Sequence, residues 1–128
     1  LTSTLKPEKL YTICTRQFEG ASDVPSRSVN SVEAPFIFKH GDYYYLFVSY
    51  DFCCRGLKSD YKVVVGRSTR VTGPYVDKDG RELTRGGGSL VVDSNDEFVA
   101  IGHSAVYHFR WKRLFHGPWL QPFGGWSQ

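Results

Sequence analysis

The sequence predicts an all-β chain, and three observations predict it. Apolar runs are short, recur about every ten residues, and are separated by Gly, Pro, Asn and Asp. The side chains that fill them are β-branched or aromatic, with eight Tyr, nine Phe and three Trp among 128 residues. No stretch repeats its apolar residues at a helical spacing.

Taken in order, residues 10–14 (Leu-Tyr-Thr-Ile-Cys) predict a first short strand. Residues 16–30 are polar, with Gly20, Pro25 and several Ser, and predict a loop that delivers the chain to Glu33. Residues 34–40 and 43–50 predict two strands of a hairpin turned at His40-Gly41-Asp42. Glu33 stands where this apolar run begins. Pro35 removes a backbone donor at the same place, which suits the first residues of a strand or a sheet edge. A carboxylate at the mouth of such a strand is either a paired structural charge or a working acid.

Residues 51–60 predict a second loop, carrying Cys53, Cys54 and Arg55-Gly56. Residues 61–68 (Tyr-Lys-Val-Val-Val-Gly-Arg-Ser) form the clearest strand, and Thr72-Gly73-Pro74-Tyr75 a turn. Asp77-Lys78-Asp79-Gly80 reads as a turn, because it lacks the alternating ligands and terminal Glu of a calcium-binding loop. Gly86-Gly87-Gly88-Ser89 has no following Lys-Ser/Thr and no helix, so it is not a phosphate cradle. It predicts a loop where backbone packs closely against a neighbour or a ligand. Residues 89–92 and 97–101 predict two further strands.

The formal net charge of +3 is spread along the chain, which argues against nucleic acid as a partner. No apolar run approaches the roughly 20 residues of a membrane span, and nothing in the sequence points to a protein partner. The chain opens on Leu without a signal-peptide pattern and reads as part of something longer. Three cysteines do not make a disulfide framework. Cys53 and Cys54, being adjacent, are expected to be poor partners for each other. Cys14 is expected to be a buried small apolar side chain.

Several motifs in order resemble the family-43 glycoside hydrolases, and within them the endo-acting arabinanases. They are Glu33-Ala34-Pro35-Phe36, the Tyr43-Tyr44-Tyr45-Leu46-Phe47-Val48 strand, and the vicinal cysteines of Ser49-Tyr50-Asp51-Phe52-Cys53-Cys54-Arg55-Gly56. Val64-Val65-Gly66-Arg67-Ser68, Gly73-Pro74-Tyr75 and Ile101-Gly102-His103-Ser104 follow. The resemblance spans residues 5–109. It implies a five-bladed β-propeller, of which this chain would hold two to two and a half blades, each blade being about 40–50 residues.

What the resemblance implies for the site follows residue by residue. Glu33 falls on the family's general acid, its pKa raised by burial or a neighbouring carboxylate. Phe52, Cys53 and Cys54 would line the substrate. His103 falls on a histidine that helps hold a central calcium through water. The base and a pKa-tuning aspartate lie on earlier blades, outside this chain, and Asp23, Asp42, Asp51 and Asp60 do not occupy those motifs. The implied reaction is inverting hydrolysis of α-1,5-linked arabinan, with arabinan or arabino-oligosaccharide as partner. The substrate class in turn implies a secreted or periplasmic protein. The alternatives are a non-catalytic polysaccharide-binding β-module, with Glu33 structural, and an inactive truncated product.

Two segments are therefore expected: a partial propeller domain over 1–109 and an atypical tail over 110–128. The tail is basic and aromatic without strand alternation. It reads either as a stacking surface or as a shifted reading frame. Under one choice of codons, a single-base shift after Phe109 restores a Gly turn and an aromatic strand.

Overall fold

The structure, a computed structural model, describes residues 9–16, 31–109, 112–116 and 119–122. Its described residues are all-β, with two short 3-10 turns at Gly56–Lys58 and Leu83–Arg85. None of its helices is long and apolar enough to cross a membrane.

Four strands form one antiparallel sheet in sequence order: β1 (Val32–His40), β2 (Tyr43–Tyr50), β3 (Lys62–Ser68) and β4 (Ser89–Val92). β1 and β2 are joined at Gly41-Asp42, where Gly41 takes φ +56, a conformation that costs glycine nothing. β1 is an edge strand, as Pro35 requires. Its pairing with β2 slips between Glu33 and Phe36, where Ala34 has φ +50. This bulge separates Glu33, opposite Ser49, from the regular ladder that begins at Phe36 opposite Phe47.

Alternation along β2 sorts its side chains onto two faces. Tyr44, Leu46, Val48 and Tyr50 point to the core, where Val64, Tyr75 and Leu83 meet them and Ile13 and Cys14 pack from the amino-terminal segment. Each fully buried apolar side chain contributes about 1.5–3 kcal/mol. Close packing explains two glycines. A Cβ on Gly66 would run into Leu83, and one on Gly87 would collide with the backbone carbonyls of Arg81 and Glu82. The triple-glycine loop is thus a close approach, to its own preceding turn.

Two smaller sheets follow, with β5 (Phe98–Gly102) paired to β8 (Trp119–Pro122) and β6 (Ala105–Phe109) paired to β7 (Lys112–His116). One hairpin is nested inside the other. β5 touches β3 and β6 touches β1, so this pair of sheets rests against the first.

Three expectations are corrected. Residues 10–14 form no strand; Leu10 and Tyr11 are exposed, and the segment is held instead by Thr15 N–H donating to the Leu83 carbonyl at 3.0 Å. Cys53 and Cys54 are disulfide-bonded to each other. The loop makes this closure feasible by turning left-handed around the pair, with φ +70 at Asp51 and +68 at Cys54. Within the tail, residues 112–116 and 119–122 are strands, because β6 and β5 supply them with ladder partners that strand alternation alone does not reveal. The predicted loop over 16–30 lies almost wholly outside the described residues.

Candidate active site

The β1–β2 register fixes the position of Glu33. Its directly opposed partner is Ser49, one residue pair before the end of the ladder at Val32 and Tyr50. The chain leaves β2 at Asp51, whose N–H donates to the Ser31 carbonyl at 3.0 Å, and enters the 51–60 loop. Glu33, Ser49, the Phe52–Cys53–Cys54 segment and Tyr61 therefore share one end of the sheet. The Gly102-His103 turn joins them there, because His103 N–H donates to Ser49 Oγ at 2.8 Å.

Glu33 is exposed, and the described residues do not cover its side chain. Its charge reaches Tyr61, the buried tyrosine at the entry to β3. Tyr61 is 3% exposed and Ser49 is fully buried. Burial pushes the Tyr61 phenol above the usual tyrosine range; the Ser49 bond opposes this, while the charge and hydrogen bond of Glu33 add to it.

The loop after β2 is pinned at its neck. Phe52 N–H donates to Asp60 Oδ1 at 2.9 Å, and Asp60 N–H donates back to the Phe52 carbonyl at 3.1 Å. Arg55 lays its guanidinium over the Phe52 ring, 3.9 Å from the centroid, so one face of that ring is occupied from within the loop. Phe52 and Cys53 are half-buried and Cys54 is exposed.

Asp51, beside this loop, is fully engaged in structure. It is 3% exposed and accepts from Arg16 at 2.9 and 3.1 Å, with the Lys62 ammonium 3.3 Å away. Arg16 in turn stacks over the Tyr50 ring at 4.6 Å. Asp42 lies in the exposed hairpin turn, Asp60 braces the loop neck, and Asp23 lies outside the described residues.

His103 has φ +56 and an exposed side chain. Among the described residues no three His, Cys, Asp or Glu side chains gather in a way that could hold a metal ion. Calcium takes six to eight oxygen ligands, so one imidazole at this turn does not make a calcium shell. The residues present do not by themselves fit that ion.

A cavity of about 270 Å³ runs between residues 11–14 and the core side of β1 and β2, bordered by Glu33 and Pro35. Its lining is mostly apolar, so it is a packing gap rather than a sugar cleft. The larger cleft of about 500 Å³ lies at the other end of the sheet, along Tyr43, Arg67 and Arg70, and has no carboxylate in its lining.

The structure brings Glu33, Phe52, Cys53, Cys54 and His103, the residues the sequence singles out, to one end of the sheet. Ser49 and Tyr61 meet there too without having been singled out. Ser49 is the one serine in an aromatic strand, on the face opposite the core.

Comparison with known proteins gives one pattern. The family model described as "Glycosyl hydrolases family 43" matches residues 3–117. An extracellular exo-alpha-(1->5)-L-arabinofuranosidase of Cellvibrio japonicus is 44% identical over 84% of this chain and 31% of its own length. An extracellular endo-alpha-(1->5)-L-arabinanase of Bacillus subtilis is 41% identical over 78% of this chain and 28% of its own. The solved structure of a Cellvibrio cellulosa alpha-L-arabinanase complexed with arabinohexaose superposes with a TM-score of 0.72 at 42% identity, over 84% of this chain and 35% of that one. The chain spans about a third of the length of the curated relatives it matches.

Proposed function

This chain belongs to family 43 of the glycosyl hydrolases, and we propose that Glu33 is the general acid of an enzyme that hydrolyses α-1,5-linked arabinan with inversion. The observation that carries the reading is the placement of Glu33. Among the described residues at this end of the sheet Glu33 is an exposed carboxylate, while Asp51 and Asp93 face Lys62 and Asp60 accepts from the Phe52 N–H. The relatives' names supply the substrate class.

Inverting hydrolysis needs a protonated carboxylic acid at the departing glycosidic oxygen and an ionised carboxylate that activates water on the opposite face. The two stand about 6.5–9.5 Å apart, so that the water fits between them. Glu33 gives its proton to the leaving oxygen as the glycosidic bond breaks. The base and a second aspartate come from other blades of a five-bladed propeller, in which β1–β4 form one blade and β5–β8 contribute to the next. Those blades also cover Glu33 and supply the water-excluded setting that this chain alone does not. Phe52 and the Cys53–Cys54 pair flank the bound arabinose chain. If a calcium ion is bound, His103 would reach it only through water, and its oxygen ligands would have to come from other blades. The substrate is a polymer found outside cells, and the protein acts there, secreted or in the periplasm.

The test is arabinan hydrolysis by the 128-residue chain and by a version extended upstream, each beside its Glu33→Gln variant. Loss of at least about a hundredfold in kcat on Glu33→Gln, in whichever form turns over, supports the acid role. Retained hydrolysis in that variant overturns it.

A further inference from the structure

We propose that the cleft at the far end of the sheet from Glu33, between Tyr43 and the turn over residues 67–76, binds an acidic sugar chain. Arg67 and Arg70 take the carboxylate of a uronate ring, and Tyr43, Pro74 and Val76 take its apolar face. The proposal goes beyond the acid assignment above and does not depend on it.

Tyr43 opens β2 and Ser49 lies six residues further along it. About 20 Å of strand therefore separates this cleft from the candidate active site. The cleft holds about 500 Å³, and no carboxylate lines it, Asp42 in the neighbouring hairpin turn included. Small-ligand sites run from about 300 to about 1,000 Å³, and a lone phosphate would leave most of this one unfilled.

The wall of the cleft is held by its own bonds. Arg67 N–H donates to the Val76 carbonyl at 2.8 Å and Val76 N–H donates back at 2.9 Å, while Gly73 N–H donates to the Arg70 carbonyl at 3.0 Å. Tyr75, 1% exposed, roots the turn in the core and donates its hydroxyl to the Val71 carbonyl at 2.8 Å. This frame orients both guanidiniums. Arg67 lies over the Tyr43 ring, 4.5 Å from its centroid, and a guanidinium stacked on a ring keeps its in-plane N–H groups for a ligand. Arg70 donates from Nε to the Gly73 carbonyl at 3.2 Å and retains its two terminal nitrogens. Both arginines are exposed, and among the described residues neither is in an ion pair. Ser68, buried in the wall, accepts from Arg70 N–H at 3.1 Å, so its hydroxyl hydrogen is available to a ligand.

These groups select a ligand class. Planar forks of N–H donors match a carboxylate. The tyrosine, proline and valine flank suits the C–H face of a sugar ring, and the Ser68 and Thr69 hydroxyls suit its oxygens. A second hollow of about 360 Å³ shares Arg67 and Val76 with the first and adds Tyr45 and Lys78. Tyr45 stands opposite Arg67 in the β2–β3 register and edge-on to Tyr43, with ring centroids 6.4 Å apart. The carboxylate in that second lining, Asp77, is turned onto its own loop. Its Oδ1 accepts from the Asp79 and Arg81 N–H groups and its Oδ2 from that of Gly88. A second acidic ring there meets the Lys78 ammonium, so the ligand is a linked run of uronates rather than a single anion.

The experiment titrates the 15N-labelled 128-residue chain with a trimer of α-1,4-linked galacturonate, at neutral pH and low ionic strength. Arabinotriose, inorganic phosphate and poly-glutamate are titrated beside it. The expected result is a saturable shift of the amide resonances of residues 67–76 with the uronate trimer, none with arabinotriose, and weaker binding as salt is raised. Arg70→Gln, and Arg67→Lys, which keeps the charge but loses the fork, are each expected to lower the affinity about tenfold. Unmoved β1 and β2 amides show that each variant keeps its sheet. Glu33→Gln is expected to bind the trimer as the wild type does.

Absence of a saturable shift over residues 67–76, or an unchanged affinity in either arginine variant, overturns the proposal. Phosphate or poly-glutamate bound as tightly as the trimer overturns the acidic-sugar class. A trimer that loses affinity in Glu33→Gln is bound at the other end of the sheet, which overturns the placement. Hydrolysis is not read in any arm, so failure here leaves the acid assignment untouched.

Discussion

Arg16 and Asp51 are joined by a two-point ion pair across 35 positions of sequence, Nε to Oδ1 at 2.9 Å and Nη2 to Oδ2 at 3.1 Å. Parallel bonds of this kind fix orientation as well as distance. The pair ties the amino-terminal segment to the end of β2, and Lys62 completes it from β3. The same Arg16 covers Tyr50, whose hydroxyl donates to the Gly87 carbonyl at 2.9 Å. One buried carboxylate thus organises the chain on the core side of the candidate site.

Asp51→Asn tests that role with little change in shape, since Asn tolerates the left-handed φ of +70 at this position. Arg16 and Lys62 lose the Asp51 charge, Lys62 keeping Asp93, and the expected cost is about 1–3 kcal/mol. It is read as a lower urea midpoint at unchanged slope. An unaltered midpoint would show that the pair orders the segment without stabilising the fold.

Asp77 makes acid stability dependent on a loop. Partial burial works to raise its pKa, but N–H donation from Gly88, Arg81 and Asp79, together with the Arg81 charge, wins and holds it below the ordinary carboxylate value. A depressed folded pKa contributes stability that is complete above the unfolded pKa and is lost as pH falls through the folded one. The window therefore opens below about pH 4. Asp77→Asn retains at most one accepting oxygen, so it should be less stable than wild type at neutral pH. The gap should narrow on acidification, as urea melts between about pH 5 and about pH 2 would register. A gap that is the same at both ends would remove the carboxylate from the account.

Thiol chemistry separates the three cysteines. Cys14 is the one free thiol, and Cys53 and Cys54 are bonded. Tyr50 spends its hydroxyl hydrogen on Gly87, so the Cys14 thiol is the donor in their 3.3 Å contact. Burial pushes the Cys14 thiol up, against the smaller opposing effects of Tyr50 and Arg16. Alkylation of the folded chain at neutral pH should accordingly be much slower than for an exposed cysteine. In denaturant, one thiol per chain should react before reduction and three after it. Three without reductant would refute the vicinal bond.

Much of the fold was legible because its strands advertise themselves. The Tyr43–Tyr50 and Lys62–Ser68 strands are dense in aromatic and β-branched residues, and Gly41 marks the turn between the first two. Residues 10–14 mimic that pattern, but only Ile13 and Cys14 have a core to enter, so composition alone misled. β7 and β8 were hidden for the opposite reason. Their pairing is dictated by β6 and β5, a tertiary cause that local alternation does not carry. At the candidate site, Glu33 stands out in sequence through its motif, whereas its neighbour Ser49 emerges only when the register sets it opposite Glu33. The Cys53–Cys54 bond escaped because adjacency argues against pairing until the left-handed turns around it are known.

The nesting of β6–β7 inside β5–β8 imposes an order of assembly. Only residues 110–111 separate the inner strands, so their ladder closes a short loop at small entropic cost. β5 and β8 must meet across everything between them, and the zipped inner pair shortens that span to little more than the turns on either side. The outer ladder therefore forms late, after its own contents. The Gly102-His103 turn sits where the outer ladder meets the inner one, and its N–H bond to Ser49 ties that junction to the first sheet.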